Sequence, residues 1–591
     1  MKQVLFFLFV SVLAVCSCKQ KAAKQTAVDS SQKWWKEAVV YQIYPRSFKD
    51  SDGDGVGDLK GVLSKLDYVK SLGIDVVWLN PIFSSPNADN GYDISDYRGI
   101  MKEFGTMEDF DALLKGMHER GLKMVLDLVA NHSSDEHEWF KQARSSRTNP
   151  YRDYYHWWPA ENGKPPFRPG SFEVDGSGWR FDSLTNAYYL HYFSYKQPDL
   201  NWENPKLRKE IFDMMNFWFD KGVDGFRMDV IPFISKDTTF PVITQKEIDE
   251  KYQGDWSQYL ASGPHLHDYL KEMNEQVLSK HNVMSVAEGA GVTAATAHLF
   301  VDEDRNELNM LYHFEGVSYG YVPGKFKTPV EGGYKLVGFK EIYSKWDSIF
   351  AEKGWGTIYL GNHDQPRMVT RWGNDAPAFR EVSSKMLTTF LMTMRATPYY
   401  YFGDELGMNN IKFDKIEQYK DIESIGMYHQ LKNKGADLNE FLQAQKISAR
   451  DNGRTPFQWD ATANAGFSNG QPWITVNSNY TTVNVAAEEK DSNSCLNYFK
   501  KAVQLRKNYK VLVYGKYELL DKANEHIYAY TRGEGKEKLL VILNFSKEKI
   551  SWTLPAGLSI SAIPLLNNYS AFSANGTVVL EPYQAIIVGV K

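Results

Sequence analysis

Seven short apolar runs recur along residues 38–405, and longer amphipathic stretches separate many of them. The runs read AVVYQIY, DVVWLNP, KMVLDLV, GVDGFRMDV, VMSVAE, GTIYLGNHD and TPYYYFGDE. Near-continuous apolar strands that alternate with helices are typical of a parallel sheet, because crossover helices cover both of its faces. Amphipathic stretches near 59–72 and 107–120 predict two of these helices. The number of repeats favours an α/β fold of the closed (β/α)8 TIM-barrel type over an open sheet.

Two segments depart from this alternation. Residues 133–200 are rich in Trp, Tyr, Pro and Gly, which predicts an inserted B subdomain after the third strand. The catalytic barrel is then expected to comprise 34–132 and 201–511. Over 512–591, short apolar strands such as HIYAYTR and KLLVILNF alternate with turn residues, which predicts a C-terminal antiparallel β-sandwich domain.

The first 33 residues have the pattern of an exported lipoprotein. An apolar run over 4–15 is too short to span a bilayer and has the length of a signal-peptide core. It ends in LAVCSCKQ, which resembles a bacterial lipoprotein cleavage site with Cys18 as the lipidated residue and Cys16 as the alternative. Residues 1–18 are therefore expected to be a lipoprotein signal peptide and 19–33 a tether. Because the tether is basic, we expect a lipid-anchored protein on the periplasmic side of a bacterial cell envelope.

The charge and the composition narrow the class of partner. The formal net charge is −5 and no long run of one sign occurs, so a nucleic-acid partner is not expected. Aromatic residues make up 14% of the chain, which fits either a carbohydrate-binding protein or a large core. If Cys18 is lipidated, Cys495 is the one cysteine left in the folded domains, and it cannot form an intramolecular disulfide.

Polar side chains follow several of the predicted strands. They are Asn131 and His132, Arg227 and Asp229, Glu288, and His363 and Asp364. In a barrel of this type the chemistry lies at the C-terminal ends of the strands. Arg227 and Asp229 are two residues apart on a strand and share a face, so the arginine should favour the ionised aspartate. One buried pair could be structural, but four successive polar strand ends indicate a site.

The carboxylates suit glycoside hydrolysis, which needs one ionised group and one protonated group beside the scissile bond. Glu288 follows an apolar run and has no adjacent cation in the sequence. Burial is therefore expected to raise its pKa and to make it the general acid. Asp364 could stabilise the cationic transition state.

Several motifs together resemble one enzyme family. DLVANH, GFRMD, AEG and NHD are similar, in order and spacing, to the four sequence regions of the α-amylase superfamily, glycoside hydrolase family 13. QPDLNW, NHDQPR and ARDNGRTPFQW resemble its oligo-1,6-glucosidase and α-glucosidase subfamily. The resemblance covers roughly 34–591. It implies a retaining mechanism with Asp229 as nucleophile, Glu288 as acid/base and Asp364 as transition-state stabiliser.

The same resemblance implies a set of sugar contacts and a substrate. The implied substrate-binding residues are Tyr92, which would stack beneath the sugar, Asp93, His132, Arg227, His363 and Arg450. Within the subfamily, a valine after the nucleophile, here Val230, accompanies α-1,6 cleavage. The expected enzyme is a retaining exo-acting α-glucosidase that hydrolyses α-1,6-linked gluco-oligosaccharides of the isomaltose type from the non-reducing end.

Three other functions remain open. One is an α-1,4-preferring α-glucosidase or maltase. Another is a glucosyl-transferring relative of the sucrose isomerase type, although MVTRWGND, after NHDQPR, lacks the arginine-rich loop expected there. The third is a non-catalytic protein, either a glycan-binding lipoprotein or a relative of the transporter heavy chains, neither of which needs the full set of carboxylates.

The segment DSDGDGVGD, residues 50–58, spaces acidic residues two apart around a glycine turn. Oxygen ligands in such an array suit Ca²⁺, although position 61 is glycine where an EF-hand loop has its closing glutamate. Resemblance to the calcium loop of oligo-1,6-glucosidases implies as ligands Asp50, Asp52, Asp54, the Val56 carbonyl and Asp58. A solvated acidic turn is the alternative. Structural Ca²⁺ and no organic cofactor are expected.

Overall fold

The computed structural model describes residues 33–573 and 575–591. The predicted signal peptide, the Cys18 lipidation site and nearly all of the tether lie outside the described residues. Within the described part of the chain, no helix combines the length and the apolar character that crossing a bilayer requires.

Eight parallel strands form the centre of the molecule. They are β1 (Val40–Ile43), β2 (Val76–Leu79), β3 (Lys123–Val129), β4 (Gly225–Asp229), β5 (Met284–Gly289), β6 (Met310–His313), β7 (Thr357–Ile358) and β8 (Thr397–Tyr401). β1 to β6 are neighbours in chain order, and β8 and then β7 continue the sheet beyond β1. A parallel bridge between Leu311 in β6 and Gly356 beside β7 closes the sheet. The predicted barrel is therefore confirmed.

Each strand is followed by a helix on the outside of the barrel. These helices are Leu59–Ser64 with Leu66–Ser71, Met107–Glu119, Pro205–Lys221, Leu266–Gln276, His298–Val301, Leu336–Ile349, Arg380–Thr393 and Cys495–Asn508. Local signals set their ends. Thr106 and Asp109 form a capping box at the start of the second. Gly222, at φ 107°, ends the third in the left-handed conformation that glycine favours.

Long connections at the C-terminal ends of the strands carry most of the irregular structure. A hairpin of Phe83–Ser84 and Asp96–Ile100 follows β2. The segment between β4 and its helix holds the helices Gln245–Tyr252 and Trp256–Leu260. The connection from β8 to its helix runs over 402–494 and contains Ile422–Asn433 and Leu438–Ser448. The apolar runs predicted neither this last excursion nor β6.

The insertion after β3 forms a small antiparallel sheet. Its strands, in sheet order, are Trp157–Pro159, Ala187–Leu190 and Trp179–Asp182. The bridge between His132 and Asp199 and the 2.9 Å hydrogen bond from the Leu200 N–H to the Asn131 carbonyl fasten its end to the end of β3. The insertion is thereby fixed over the C-terminal ends of the strands.

The C-terminal domain consists of two antiparallel sheets. The larger contains, in order, Lys516–Leu520, Ile527–Glu534, Glu537–Asn544, Ala585–Gly589 and Leu566–Asn567, and the smaller pairs Ile550–Thr553 with Thr577–Leu580. Trp552 and Leu580 pack against alternate residues of the larger sheet, such as Ile542. The other face of that sheet, including Tyr528 and Val541, belongs to the same apolar core as the barrel helices. The predicted sandwich is confirmed.

Candidate active site

A cavity of about 930 Å³ opens at the C-terminal ends of the strands. All three predicted catalytic carboxylates line it: Asp229 at the end of β4, Glu288 in β5 and Asp364 after β7. Tyr92, His132 and Arg450 line it as well. The barrel therefore brings together side chains that come from positions as far as 358 residues apart.

Arg227 lies at the centre of the charged cluster and is completely buried. Its Nη1 is 2.6 Å from both Asp127 Oδ1 and Asp229 Oδ1, and its Nη2 is 2.5 Å from Glu288 Oε1. Its Nε donates a 2.6 Å hydrogen bond to the Tyr312 hydroxyl. Arg227, predicted to contact the sugar, is not among the residues that line the cavity, and it holds the carboxylates in place by these ion pairs. Asp127 is the first residue of the motif DLVANH, although no role was predicted for it, and the sequence did not indicate Tyr312.

The three carboxyl groups have different acidities. Burial raises the pKa of Glu288 to about 8 although Arg227 opposes the rise. The raised pKa of Glu288 agrees with the expectation from the sequence, but a cation, Arg227, does lie beside Glu288 in space. Burial also raises the pKa of Asp229, to about 7, so Arg227 offsets desolvation only in part. For Asp364, burial is outweighed by the nearby His363, Arg450 and Arg454, which hold its pKa well below the ordinary value.

The turn after Asp229 orients the acid/base candidate. The backbone N–H of Val230 donates a 2.8 Å hydrogen bond to Glu288 Oε2. Val230 adopts φ 32° and ψ 37°, a left-handed conformation that is strained for a β-branched residue. The N–H of Phe233 bonds the Val230 carbonyl at 2.8 Å and helps to maintain it. Strain at this turn therefore aims an N–H group at Glu288.

Tyr92 lines the cavity and stacks on His363, with ring centroids 5.3 Å apart and planes 10° apart. Gln42 Nε2 donates to His363 Nδ1 at 2.9 Å, which assigns the ring proton to Nε2, near the Tyr92 hydroxyl and Asp364. Burial holds the pKa of His363 well below its ordinary value. His363 was expected to touch the sugar, but it is 1% exposed and does not line the cavity, and its ring supports that of Tyr92.

Asp93 was also expected to contact the sugar, but Asp89 lines the cavity and Asp93 does not. The Asp93 side chain is completely buried and accepts 2.9 Å hydrogen bonds from the backbone N–H groups of Ala88 and Asp89. It therefore holds the loop. Asp89 lines the cavity, accepts a hydrogen bond from Gln197 at 3.0 Å and lies 3.8 Å from Arg450. Asp89 lies four residues before Asp93 in the sequence, and the sequence analysis did not single it out.

Arg450 and its neighbours close the inner end of the cavity. Arg450 Nη1 contacts Asp364 Oδ1 at 3.0 Å, and Arg454 contacts the same oxygen at 3.1 Å. Behind them, Arg450 Nε donates to Asp421 Oδ1 at 3.0 Å. The ring of Phe172, from the insertion, lies 5.3 Å from the Arg450 guanidinium. Asp421 comes from the excursion after β8, and the sequence did not point to it.

His132 accompanies a buried cation that the sequence also did not reveal. Its Nε2 lies 3.2 Å from the Tyr92 carbonyl, and burial lowers its pKa to about 3. Beside it, Lys236 Nζ donates to Asn131 Oδ1 at 2.6 Å and pairs with Asp199 Oδ2 at 3.0 Å. An ammonium group therefore joins the end of β3, the insertion and the segment after β4.

The acidic segment after β1 lies away from this cavity. Asp50, Asp52 and Asp58 each place a carboxylate oxygen within 4.8 Å of the others, whereas Asp54 is not part of that group. The two buried members already accept backbone N–H groups, among them Gly53 to Asp50 at 2.7 Å and Gly61 to Asp58 at 2.7 Å. The donor set is all oxygen, as Ca²⁺ requires.

Comparison with known proteins identifies the family. The model of the alpha-amylase catalytic domain matches residues 42–515, and that of the alpha-amylase SusG C-terminal domain matches 527–587. The chain belongs to the α-amylase family. Two relatives of this α-amylase family member are oligo-1,6-glucosidases. The one from Bacillus cereus is 49% identical over 95% of this chain and 100% of its own. The one from Parageobacillus thermoglucosidasius is 50% identical over 94% and 99%.

A solved structure is similar to this chain over nearly its full length. The isomaltulose synthase from Klebsiella sp. LX3 has a TM-score of 0.91 and 43% identity, and the match covers 95% of this chain and 100% of that one. The α-amylase-family assignment made from the four motifs is therefore confirmed, and the protein is an enzyme of glycoside hydrolase family 13.

Proposed function

We propose that the protein is a retaining, exo-acting α-glucosidase that hydrolyses short α-1,6-linked gluco-oligosaccharides from the non-reducing end. The observation that carries this proposal is the contact of Asp229 and Glu288 with one guanidinium, that of Arg227. Retaining enzymes keep their two carboxyl groups about 5 Å apart, too close for a water molecule to attack between them. A shared arginine favours that short separation.

Two steps follow from this arrangement. Asp229 attacks the anomeric carbon while Glu288 gives its proton to the leaving oxygen. The bond between the anomeric carbon and that oxygen breaks. Glu288 then takes a proton from water, whose oxygen displaces Asp229 and releases glucose with its α configuration. Asp364, held ionised by its arginine neighbours, lies where it can stabilise the positive charge that develops on the sugar ring.

The closed inner end supports exo action. Asp89, Asp364 and Arg450 are linked to one another there and present carboxylate and guanidinium groups to a single terminal sugar. Charged groups of both signs bind several hydroxyls at once, and the buried Asp421, paired with Arg450, lies behind them. Cleavage then removes one glucosyl unit at a time.

The linkage preference rests on Val230 and on the relatives. Val230 lines the cavity directly after the nucleophile, where it offers an apolar side chain to the first residue of the leaving group. The two relatives described above carry the name oligo-1,6-glucosidase. Together they favour α-1,6 over α-1,4 cleavage.

The direct test measures glucose release from isomaltose and from maltose, with sucrose assayed for isomeric products and Asp229→Asn as control. We expect isomaltose turnover well above maltose turnover, release of α-glucose by NMR, and no turnover in the variant. Maltose preferred would overturn the linkage, and rearranged disaccharides as the main product from sucrose would support the isomerase alternative. No turnover of any of these sugars would contradict the proposal as a whole.

We also propose that Asp50, Asp52 and Asp58 hold a structural Ca²⁺. The support is the convergence of their carboxylate oxygens and the position of the loop. Ser468 donates to Asp50 and the Trp473 N–H to the Gly55 carbonyl, so the loop joins β1 to the excursion after β8. Bound Ca²⁺ would neutralise the cluster and stabilise that junction. Calorimetric titration of chelator-treated protein with Ca²⁺ should show one site, which Asp52→Asn should weaken.

A further proposal concerns location. We propose that Cys18 carries a lipid that anchors the enzyme to a bacterial envelope membrane on the periplasmic side. The support is the apolar run that ends in LAVCSCKQ and the basic residues that follow it. Fractionation of cells that produce the full chain should place it with membranes, and Cys18→Ala should release it. A soluble wild-type protein would contradict the anchor.

A further inference from the structure

The outer part of the cavity differs in character from its inner end. One side of it is formed by the end of β5 and the segment that follows, namely Gly289, Ala290, Gly291, Val292, Thr293 and Ala294. The other side is formed by the segment after β4, namely Gln253, Asp255, Ser257 and Gln258. Small side chains after Glu288 leave this half wide. A volume of about 930 Å³ is near the upper end of ordinary ligand pockets and exceeds what the terminal sugar needs.

The two sides of this outer half touch at one place, where Gly291 meets Ser257. Gly291 has φ +72°, and a Cβ placed there would lie 2.1 Å from the carbonyl oxygen of Ser257. The chain after the acid/base candidate therefore rests on the short helix Trp256–Leu260. Trp256 stands between Asp255 and Ser257, two residues that line the cavity.

Trp256 meets an exposed aromatic residue from the insertion. Its ring lies edge-on to Phe167, with centroids 5.7 Å apart and planes 76° apart, and edge-on to Tyr259 behind it. The Phe167 side chain is 55% exposed. We call Phe167 and Trp256 the aromatic platform. Neither ring lines the cavity itself, but Trp256 lies between two residues that do, Asp255 and Ser257.

Phe167 is held in this exposed position by a rigid backbone. The indole N–H of Trp179 donates to the Pro166 carbonyl at 2.9 Å, and Arg168 Nη1 donates to the Phe167 carbonyl at 2.7 Å. Arg168 is itself buried and also bonds the Pro241 carbonyl from the segment after β4. The backbone on both sides of Phe167 is therefore hydrogen-bonded while its ring stays exposed.

We propose that the aromatic platform stacks on the third glucosyl residue of the substrate, the one beyond the residue that carries the leaving oxygen. The occupant follows from continuity, because a chain whose terminal glucose fills the closed inner end can extend only through the outer half. Flat aromatic faces match the apolar faces of glucopyranose. The inference rests on the proposed α-1,6-glucosidase function and assigns it a chain-length preference: isomaltotriose and longer chains over isomaltose.

The test compares kcat/KM for isomaltose, isomaltotriose and isomaltotetraose. In the wild type we expect isomaltotriose to exceed isomaltose, and isomaltotetraose to add little. Phe167→Ala and Trp256→Ala should lower kcat/KM for isomaltotriose about threefold to tenfold, mainly through KM, and leave isomaltose unchanged. Phe167→Tyr should keep the preference, because it keeps the flat ring.

A matched control is Phe181→Ala, which removes another aromatic residue of the insertion that is 47% exposed. This variant should leave kcat/KM for all three substrates unchanged. Hydrolysis of p-nitrophenyl α-glucoside, which lacks a third residue, reports whether each variant retains a folded site. Equal kcat/KM for isomaltose and isomaltotriose in the wild type would overturn the proposed role of the platform. So would platform variants that lose kcat/KM equally for both sugars. Absence of α-1,6 hydrolysis in the wild type would instead overturn the proposed function.

Discussion

Identical carboxyl groups acquire distinct acidities in this cavity because their neighbours differ. Asp229 and Glu288 share one arginine and are both desolvated, so both pKa values rise, and that of Glu288 rises further. Asp364 faces two arginines, and its pKa falls. A nucleophile that ionises before its acid/base partner is the order that a double displacement requires.

The carboxyl groups of Asp229 and Glu288 together predict a pH optimum that is bounded on both sides. At low pH Asp229 is protonated and cannot attack, and at high pH Glu288 is ionised and cannot protonate the leaving oxygen. Plotted against pH, kcat/KM for isomaltose should therefore be bell-shaped, with limbs that belong to the pair and lie above the ordinary carboxyl range, because burial raises both pKa values.

Glu288→Gln separates the two limbs. With an aryl glucoside, whose leaving group needs little protonation, formation of the glycosyl-enzyme should persist and lose its alkaline limb, while isomaltose hydrolysis should fall by orders of magnitude. Stopped-flow measurement of the aryl burst across pH provides the check. An unchanged alkaline limb would mean that another group supplies the acid.

Asp89 and Asp93 should respond differently to removal of charge. Asp89→Asn should lower kcat/KM by about 100-fold or more, because a charged hydrogen-bond partner of the terminal sugar is lost, and leave the melting temperature near that of the wild type. Asp93→Asn should cost about 1–3 kcal/mol of stability, because it weakens bonds to two buried N–H groups. Steady-state kinetics and thermal melts of both variants decide the point. The reverse pattern would restore Asp93 as the sugar contact.

At the scale of elements, the sequence predicts the regular parts better than the excursions. Strands such as β3 and β4 are recognisable as apolar runs that end in polar residues. β6 escapes, because its apolar residues, 310–312, lie directly between Asn309 and His313 and no longer apolar run marks the strand. The excursion over 402–494 also escapes, since the placement of Asp421 behind Arg450 depends on how distant segments fold together. Family motifs identify Arg450 but not the partners that fix it.

Lys236 provides a test of how the insertion is attached. Lys236→Met leaves Asp199 as an unpaired buried charge and should cost about 3–5 kcal/mol of stability. Protease cleavage within the insertion should become faster. The double variant Lys236→Met with Asp199→Asn removes both charges and should recover much of the loss. No recovery would show that the ammonium acts through Asn131 rather than through the ion pair.

The whole molecule is a barrel and a sandwich that share apolar packing. Lys340, on the helix after β6, is completely buried and donates to three carbonyls of the C-terminal domain, those of Asp521, Asn524 and Ile527. The hydroxyl groups of Thr393 and Tyr530 meet at 2.6 Å across the same boundary. The sandwich therefore completes the core of the barrel.

This boundary predicts a single unfolding event. Scanning calorimetry should give one transition for barrel and sandwich together. Lys340→Met leaves three carbonyls without their donor, so it should cost about 1–3 kcal/mol or more and lower the transition temperature without splitting the peak. Lys353→Met, which removes an exposed lysine of the same connection, should leave it unchanged. Two separate transitions in the wild type would contradict a shared core.

The wall formed by Arg450, Asp364 and Asp89 has a kinetic consequence. Glucose held against this wall is expected to leave last, after the shortened oligosaccharide. Free glucose should then compete directly with substrate. The enzyme is also distributive, because a shortened chain must dissociate completely before its new end can enter. A population of oligosaccharides is therefore trimmed evenly rather than one molecule at a time.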